Sequence, residues 1–334
     1  MHNVHKTKFT VTHMTKQDLI EIPKPLDQLT ATEIERKACI GKVMTYTLKS
    51  LTSTYVNKGY QWLLPVALSQ STDPLWPDPG ASIEKRIEVD IYGKPVRTTA
   101  SMIIHKLIGA STAYPKLFIL SPNIRIEKAE RAKTGRHIYE FTQLDFEAQG
   151  ASSKDVFALV EEAIVTLVKD LKREMKSELT TLCRCDTLKV PKTPFKIYDR
   201  VELEAKYGKD WEAGITSEIT EPVWVTNIPR EFYDFEDFKT GKWDNYDLFL
   251  PQFGEVLSGA KREYEYNKIL TKIERDQVKK ENYALILKMA KDGRLKPTAG
   301  AGIGMERLVG WIAGVKHIAE CQPFPRVPGN VNEL

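Results

Sequence analysis

Two stretches of the chain carry residue types at spacings that could do chemistry. In SPNIRIEKAERAKTGRHIYEFTQLDFE (residues 121–147), Arg125 and Glu127 lie two apart in an extended run and so share one face of a strand. On the returning run Phe141, Gln143 and Asp145 share one face, and Glu140, Thr142 and Leu144 the other. The loop between the runs holds Arg131, Lys133, Arg136 and His137. Cations for phosphates, an aromatic face for a base and a carboxylate for an exocyclic amine together suit a nucleoside triphosphate. The plainer reading is that Arg125 and Glu127 pair with each other.

The second stretch is AGAGIGMERLVGWIAG (299–314). Gly300, Gly302 and Gly304 resemble the start of a phosphate-cradling loop, but Arg307 follows where a dinucleotide fingerprint wants a third glycine. Only about 20 residues follow the helix it opens, so no second strand–helix crossover fits.

These residues need elements to hold them. Thr32 with Glu35 reads as a capping box opening a helix that runs to about Asn57, with Ile34, Ala38, Val43, Leu48 and Leu51 inward. NKGYQWLLPVAL then turns to strand and stops at Pro65. KRIEVDIYGKPVRTTA predicts a hairpin turning at Tyr92-Gly93, and SMIIHKLIGAST a short helix. The run from Ser152 to Met175 is amphipathic, with Val156, Leu159, Val160, Ala163, Ile164, Leu167 and Leu171 on one face. Beyond it, segments from 194 to 258 read as a short helix between strands, and 261–293 as mostly helix with a charged outer face. Strands in antiparallel order, with helices at the beginning, middle and end, predict an α+β layer fold in one catalytic domain over 31–334, after an extension over 1–30.

Composition narrows the function classes. The net charge of +4, from 49 Lys and Arg against 45 Asp and Glu, is too mild to argue for a nucleic-acid binder. No apolar run reaches membrane length and the first residues lack an apolar signal core, which predicts a cytoplasmic protein with no membrane partner. Cys183 and Cys185 form a lone C-x-C without a second pair, so reduced structural thiols are expected rather than zinc.

The hairpin resembles motif 2 of the class II aminoacyl-tRNA synthetases, in the aspartyl, asparaginyl and lysyl branch. AGAGIGMERLVGWIAG resembles motif 3 of that family, and NKGYQWLLPVAL resembles motif 1, which in the family builds a dimer interface. The three motifs stand in the family's order across about residues 33 to 315. The resemblance implies an antiparallel sheet flanked by helices, and a homodimer formed through the motif 1 helix and strand. It gives Arg125 the substrate carboxylate and α-phosphate, Glu127 the adenine amino group and Phe141 the face under the base. Arg136 and His137 fall on the γ-phosphate. Arg307 falls over the adenine and reaches the γ-phosphate, and the glycines before it are expected to let the nucleotide approach closely. Arg125 and Arg307 are the expected catalytic residues. YDLFLPQFGEVLSGAKR resembles the stretch supplying two acidic Mg²⁺ ligands, Glu255 and, across a stretch one residue longer than usual, Asp247. ATP and Mg²⁺ are thus implied.

ASMIIHKL lies where the aspartyl enzymes carry QSPQLYKQ, so Lys106 falls on their lysine. With Arg262 it would hold the side-chain carboxylate of aspartate. Two cations around one carboxylate reject the neutral amide, which would leave buried charge unpaired. Asp145 would receive the α-ammonium, with Ser101 and Gln143 beside the substrate, while Asp73 or Asp78 could line the pocket. The family's tRNA ligases carry an anticodon-binding barrel before motif 1, for which about 30 residues leave no room. Over nearly its length the chain resembles the archaeal asparagine synthetases related to asparaginyl-tRNA synthetase. That resemblance implies ATP, aspartate and ammonia as substrates, with no tRNA. Amidation needs the β-carboxylate to face ATP, so Lys106 and Arg262 could hold the α-carboxylate instead. The other readings are an aspartyl-type paralogue using tRNA or another acceptor, and a non-catalytic regulatory paralogue.

Overall fold

The computed structural model describes residues 20–74 and 83–332. Asp78 of the proline-rich loop lies outside them. The chain enters through α1 (Ala31–Asn57) and then β1 (Gln61–Leu63). Thr30, not Thr32, is the N-cap: its side chain accepts from the Glu33 amide, and the Glu33 carboxylate accepts from the Thr30 amide at 2.7 Å. The segment TATEIE satisfies the T-x-x-E pattern twice, two residues apart, and nothing local chooses between the two registers. Cys39, Ile40, Val43, Leu51 and Tyr55 are buried along α1, while Ile34 and Ala38, expected inside, are exposed.

The hairpin at Glu88–Ile91 and Lys94–Thr98 forms as expected. Tyr92 and Gly93 both take positive φ, 54° and 76°, the combination a tight primed turn requires. α2 (Ile103–Ser111) leads into β2 (Lys116–Ile124) and β3 (Glu140–Gln149), whose loop is a 3₁₀ segment at Ala129–Thr134. α3 (Ser153–Glu174) starts at a second capping box, Ser152 with Asp155. β4 (Lys196–Asp199), α4 (Arg200–Tyr207), α5 (Trp211–Glu218) and β5 (Val223–Thr226) follow, then β6 (Asn245–Leu250) and β7 (Gly254–Lys261). The 261–293 region is two helices, α6 (Tyr266–Arg275) and α7 (Ala284–Lys291), interrupted where Gln277 takes φ 53°. β8 (Thr298–Gly304) runs straight into α8 (Met305–Ala313).

The eight strands form one sheet in the order β1-β2-β3-β8-β7-β6-β5-β4. The expectation of antiparallel order holds through the middle and fails at both edges, where β1 pairs with β2 and β4 with β5 in parallel. Each edge pair is joined by a long connection containing helix, and such a crossover returns the chain in the same direction. The sheet is therefore mixed, still α+β and flanked by helices.

One face of the sheet is core. Leu144, Phe146 and Ala148 of β3 and Ala299, Ala301 and Ile303 of β8 pack with α1, α3 and α8. The face read for α3 is buried at Val156, Val160, Ala163, Ile164, Leu167 and Leu171, joined by Val168, with Leu159 half-buried. Period-two alternation turns the intervening residues, Gln143, Asp145 and Glu147 on β3 with Gly300, Gly302 and Gly304 on β8, to the other face. There the site lies.

Candidate active site

A cavity of about 200 Å³ opens on the polar face of the sheet. Ser101, Lys106, Arg125, Glu127, Arg136, His137, Phe141, Gln143, Asp145, Glu255, Arg262 and Arg307 all line it. Asp247 does not. It lies on β6 opposite Ser258 of β7, 3% exposed, 2.5 Å from Arg230. The register shifts between Leu248 and Phe249, leaving Val256 of β7 as a bulge.

The glycines also make room within the protein itself. Gly304, Gly302 and Gly300 pair across the ladder with Gln143, Asp145 and Glu147, and such opposite residues point the same way. A Cβ on Gly300 would stand 2.1 Å from the Phe146 carbonyl and 2.4 Å from Glu147 Oε2. One on Gly302 would stand 2.8 Å from Asp145 Oδ1. Gly300 and Gly302 thus make room for polar side chains of β3. At Gly304 a Cβ would meet nothing closer than 3.6 Å, so it is the first two glycines that the inner floor requires.

That floor is a buried charge network. Lys106 Nζ donates to Asp145 Oδ1 at 2.9 Å and to the Ala301 carbonyl, with both ionic side chains 2% exposed. Glu147, fully buried, lies 3.8 Å from Lys106 through Oε2 and 3.3 Å from Arg262 Nε through Oε1. Thr298 Oγ1 also donates to Glu147, and Arg262 pairs with Asp234. Lys106 and Asp145, given separate substrate contacts by the sequence, are thus bound to each other. Asp145 lines the cavity, and its Oδ2 is buried without a hydrogen-bond partner. Gln143 accepts from Asn123 through Oε1, which fixes its amide orientation.

The outer half is rich in arginine. Arg125 does not pair with Glu127: its Nε donates to the Ala100 carbonyl, Nη2 lies 4.0 Å from Asp73, and the guanidinium sits 5.2 Å over the Phe141 ring. Glu127 lies 3.5 Å from Arg131, and burial raises its carboxyl above the usual range while Arg131 opposes. Arg131 donates to His137 Nε2, leaving Nδ1–H to donate to the Thr134 hydroxyl. Burial, then the surrounding arginines, push the His137 imidazole down to about 2, so it is neutral at all ordinary pH.

Arg307 Nη1 donates to Glu255 Oε2 at 2.9 Å and to the Glu255 carbonyl, and Nη2 to the Arg136 carbonyl. Burial works against charge on Glu255, yet Arg307, Arg136 and Arg230 hold its carboxyl below the usual range. Arg136 lies against Gly254, whose φ of 95° and missing Cβ leave the guanidinium its place. Glu306, beside Arg307, accepts from the Thr142 amide, and burial pushes its carboxyl up to about 7.

Sequence reasoning missed Arg230, Glu231, Tyr233, Asp234 and Ser258 of the lining. The first four lie in the irregular segment after β5, which has no periodicity to mark a face. Their one local signal is the density of charged and aromatic residues in PREFYDFED. Asp73, one of two alternatives offered, does line the cavity, held by the Tyr233 hydroxyl at 3.0 Å. His105 lies outside the lining, bonded to Ser69.

A hard cation suits these donors. Glu255 and Ser258 stand on the wall, and Asp247 Oδ1 is buried without a hydrogen-bond partner. Among the described residues no group of three or more His, Cys, Asp or Glu is arranged to hold a metal. Mg²⁺ commonly binds one or two carboxylates and completes its shell with substrate phosphates. No helix among the described residues is long and apolar enough to cross a membrane.

Residues 86–328 match the family described as tRNA synthetases class II (D, K and N). The chain is 27% identical over 293 residues to an asparagine–tRNA ligase of Thermoplasma acidophilum, covering 81% of this chain and 65% of that protein. It is 28% identical over 321 residues to the one from Koribacter versatilis, covering 87% and 69%. It therefore spans about two thirds of the length of these relatives. Among solved structures it resembles asparaginyl-tRNA synthetase from Pyrococcus horikoshii complexed with asparaginyl-adenylate, with TM-score 0.79 and 25% identity over 93% of this chain and 75% of that one. Aspartyl-tRNA synthetase from Entamoeba histolytica shares the fold, with TM-score 0.70 and 17% identity over 88% and 59%.

Proposed function

Because the chain belongs to the class II tRNA synthetases (D, K and N), we propose that its cavity activates an amino acid with ATP, that the amino acid is aspartate, and that ammonia takes the activated acyl group to give asparagine, AMP and pyrophosphate. The observation that carries the aspartate reading is the bridging of Lys106 and Arg262 by Glu147. Both cations line the cavity, where a carboxylate of the substrate takes over contacts that Asp145 and Asp234 make now, and Asp145, released from Lys106, accepts from the α-ammonium.

The other carboxylate lies against Arg125 and attacks the α-phosphorus as pyrophosphate leaves. Adenine rests on Phe141, with Glu127 taking its amino group. Arg307 releases Glu255 when the triphosphate offers a stronger anion. Magnesium held by Glu255, with Asp247 and Ser258 near it, offsets phosphate charge when bound. Charge growing on the α-phosphate meets guanidinium groups already in place, and losing one such donor typically costs about 3–4 kcal/mol of transition-state stabilisation.

Support for ammonia as acceptor comes from the acidic side of the wall, where Asp73, held by the Tyr233 hydroxyl, and Glu231 both line the cavity. A second reading is favoured by the relatives, which are asparagine–tRNA ligases: the substrate is asparagine and the acceptor tRNA. Amino-acid-dependent exchange of labelled pyrophosphate into ATP separates the two at the activation step. Aspartate should support exchange at least tenfold better than asparagine. Exchange driven by asparagine alone would select the second reading.

A further inference from the structure

We propose that Asn123 is a positioning residue that makes Gln143 a hydrogen-bond donor to the acyl oxygen of the bound amino acid. The proposal rests on the reading that the cavity activates an amino acid, and it holds for aspartate and asparagine alike. Ser121 and Asn123 stand two apart on β2, opposite Gln143 and Phe141 of β3. Opposite residues point the same way, so both belong to the polar face of the sheet. Yet neither has any exposed surface and neither lines the cavity. They act on the cavity through Gln143, which does line it.

Three hydrogen bonds set the direction of the Gln143 amide. Asn123 Nδ2 donates to the Ser121 carbonyl at 3.4 Å, and Asn123 Oδ1 accepts from Ser121 Oγ at 2.9 Å. A backbone carbonyl can only accept, so the NH2 of Asn123 is the group on that side. The same NH2 donates to Gln143 Oε1 at 2.7 Å. Gln143 is left with its own NH2 to present, and Nε2 has no hydrogen-bond partner among the described residues. That nitrogen lies over Gly302, itself part of the lining, 3.0 Å from where a Cβ would stand. Asp145 Oδ1 lies 2.8 Å from the same point. A fixed donor and a fixed acceptor thus share the space above one glycine.

Side chains on one face of a strand recur about every 7 Å. Along β3, Asp145 takes the ammonium and Phe141 the adenine in the reading above. Gln143 stands between them, where the acyl group is joined to the nucleotide. An acyl oxygen only accepts, and a donor already held in place meets it without reorganising. A free carboxamide could face either way, and turned over it would set oxygen against oxygen. Asn123 removes that choice.

The test is a double-mutant cycle on the whole protein, read as kcat/KM for the amino acid in pyrophosphate exchange, with the KM for ATP measured alongside. Asn123→Leu keeps nearly the shape of asparagine but has no donor, so Gln143 is free to turn, and kcat/KM should fall about tenfold. Asn123→Asp offers Gln143 an acceptor only, which draws its NH2 away from the cavity, and the fall should be about 100-fold. The KM for ATP should stay within about threefold in both. In a Gln143→Met background the same changes should alter kcat/KM by less than about twofold, because no amide is left to turn. Equal losses in both backgrounds, or an unchanged kcat/KM in Asn123→Leu, would overturn the proposal. The uncharged leucine variant keeps the cycle decisive if a buried aspartate prevents folding. If the unaltered protein shows no exchange with either amino acid, it is the activation reading that fails.

Discussion

Gly302 shows how much a single residue decides here. It faces Asp145 across the ladder, and a Cβ there would crowd both Asp145 Oδ1 at 2.8 Å and Gln143 Nε2 at 3.0 Å. Gly302→Ala should therefore cost about 1–3 kcal/mol by overpacking and raise the KM for the amino acid by tenfold or more. Gly304→Ala, whose Cβ would make only ordinary contacts at 3.6 Å, should leave stability within about 0.5 kcal/mol of the parent. Thermal unfolding and amino-acid titration of the two variants check this. Equal losses at both positions would mean that the glycines serve backbone conformation alone. At this scale the sequence was most legible where chemistry follows strand alternation. Arg125, Glu127, Phe141, Gln143 and Asp145 were placed by period two, and all line the cavity. It was least legible for partners. Nothing local indicates that Lys106 joins Asp145, 39 residues away, or that Arg125 turns from Glu127 towards Asp73.

Elements carry these residues with ordinary signals. The Tyr92-Gly93 turn, the α3 stripe and the β8-to-α8 passage could all be read because one pattern had one solution. The start of α1 could not, because TATEIE offers two caps. Thr30→Ala should lower stability by about 1 kcal/mol, whereas Thr32→Ala should have less than half that effect. Chemical denaturation of the pair decides between the caps, and the reverse ranking would restore the discarded register. The parallel edges of the sheet were missed because strand direction is set by what connects two strands: α5 was not recognised between β4 and β5, and the helix expected between β1 and β2 was not read as a crossover. Likewise α6 and α7 read as one run because the Asp276–Lys279 break contains neither Gly nor Pro.

At the scale of the whole molecule, a mixed sheet keeps one face apolar and gives the other to charge. The arginine-rich end suits a triphosphate, and the Lys106–Glu147–Arg262 floor suits a small amino acid. Family membership was legible from three motifs in order. The acidic wall at Glu231 was not, since it comes from an irregular segment that only the fold brings against β3 and β8. The central claim is that these halves act together on aspartate and ammonia. It is tested most directly by incubating the protein with ATP, Mg²⁺, labelled aspartate and ammonium chloride, and separating the products. Labelled asparagine should appear in a one-to-one ratio with AMP and only when ammonium is present. ATP consumed without labelled asparagine, or label transferred to tRNA in its place, would contradict it.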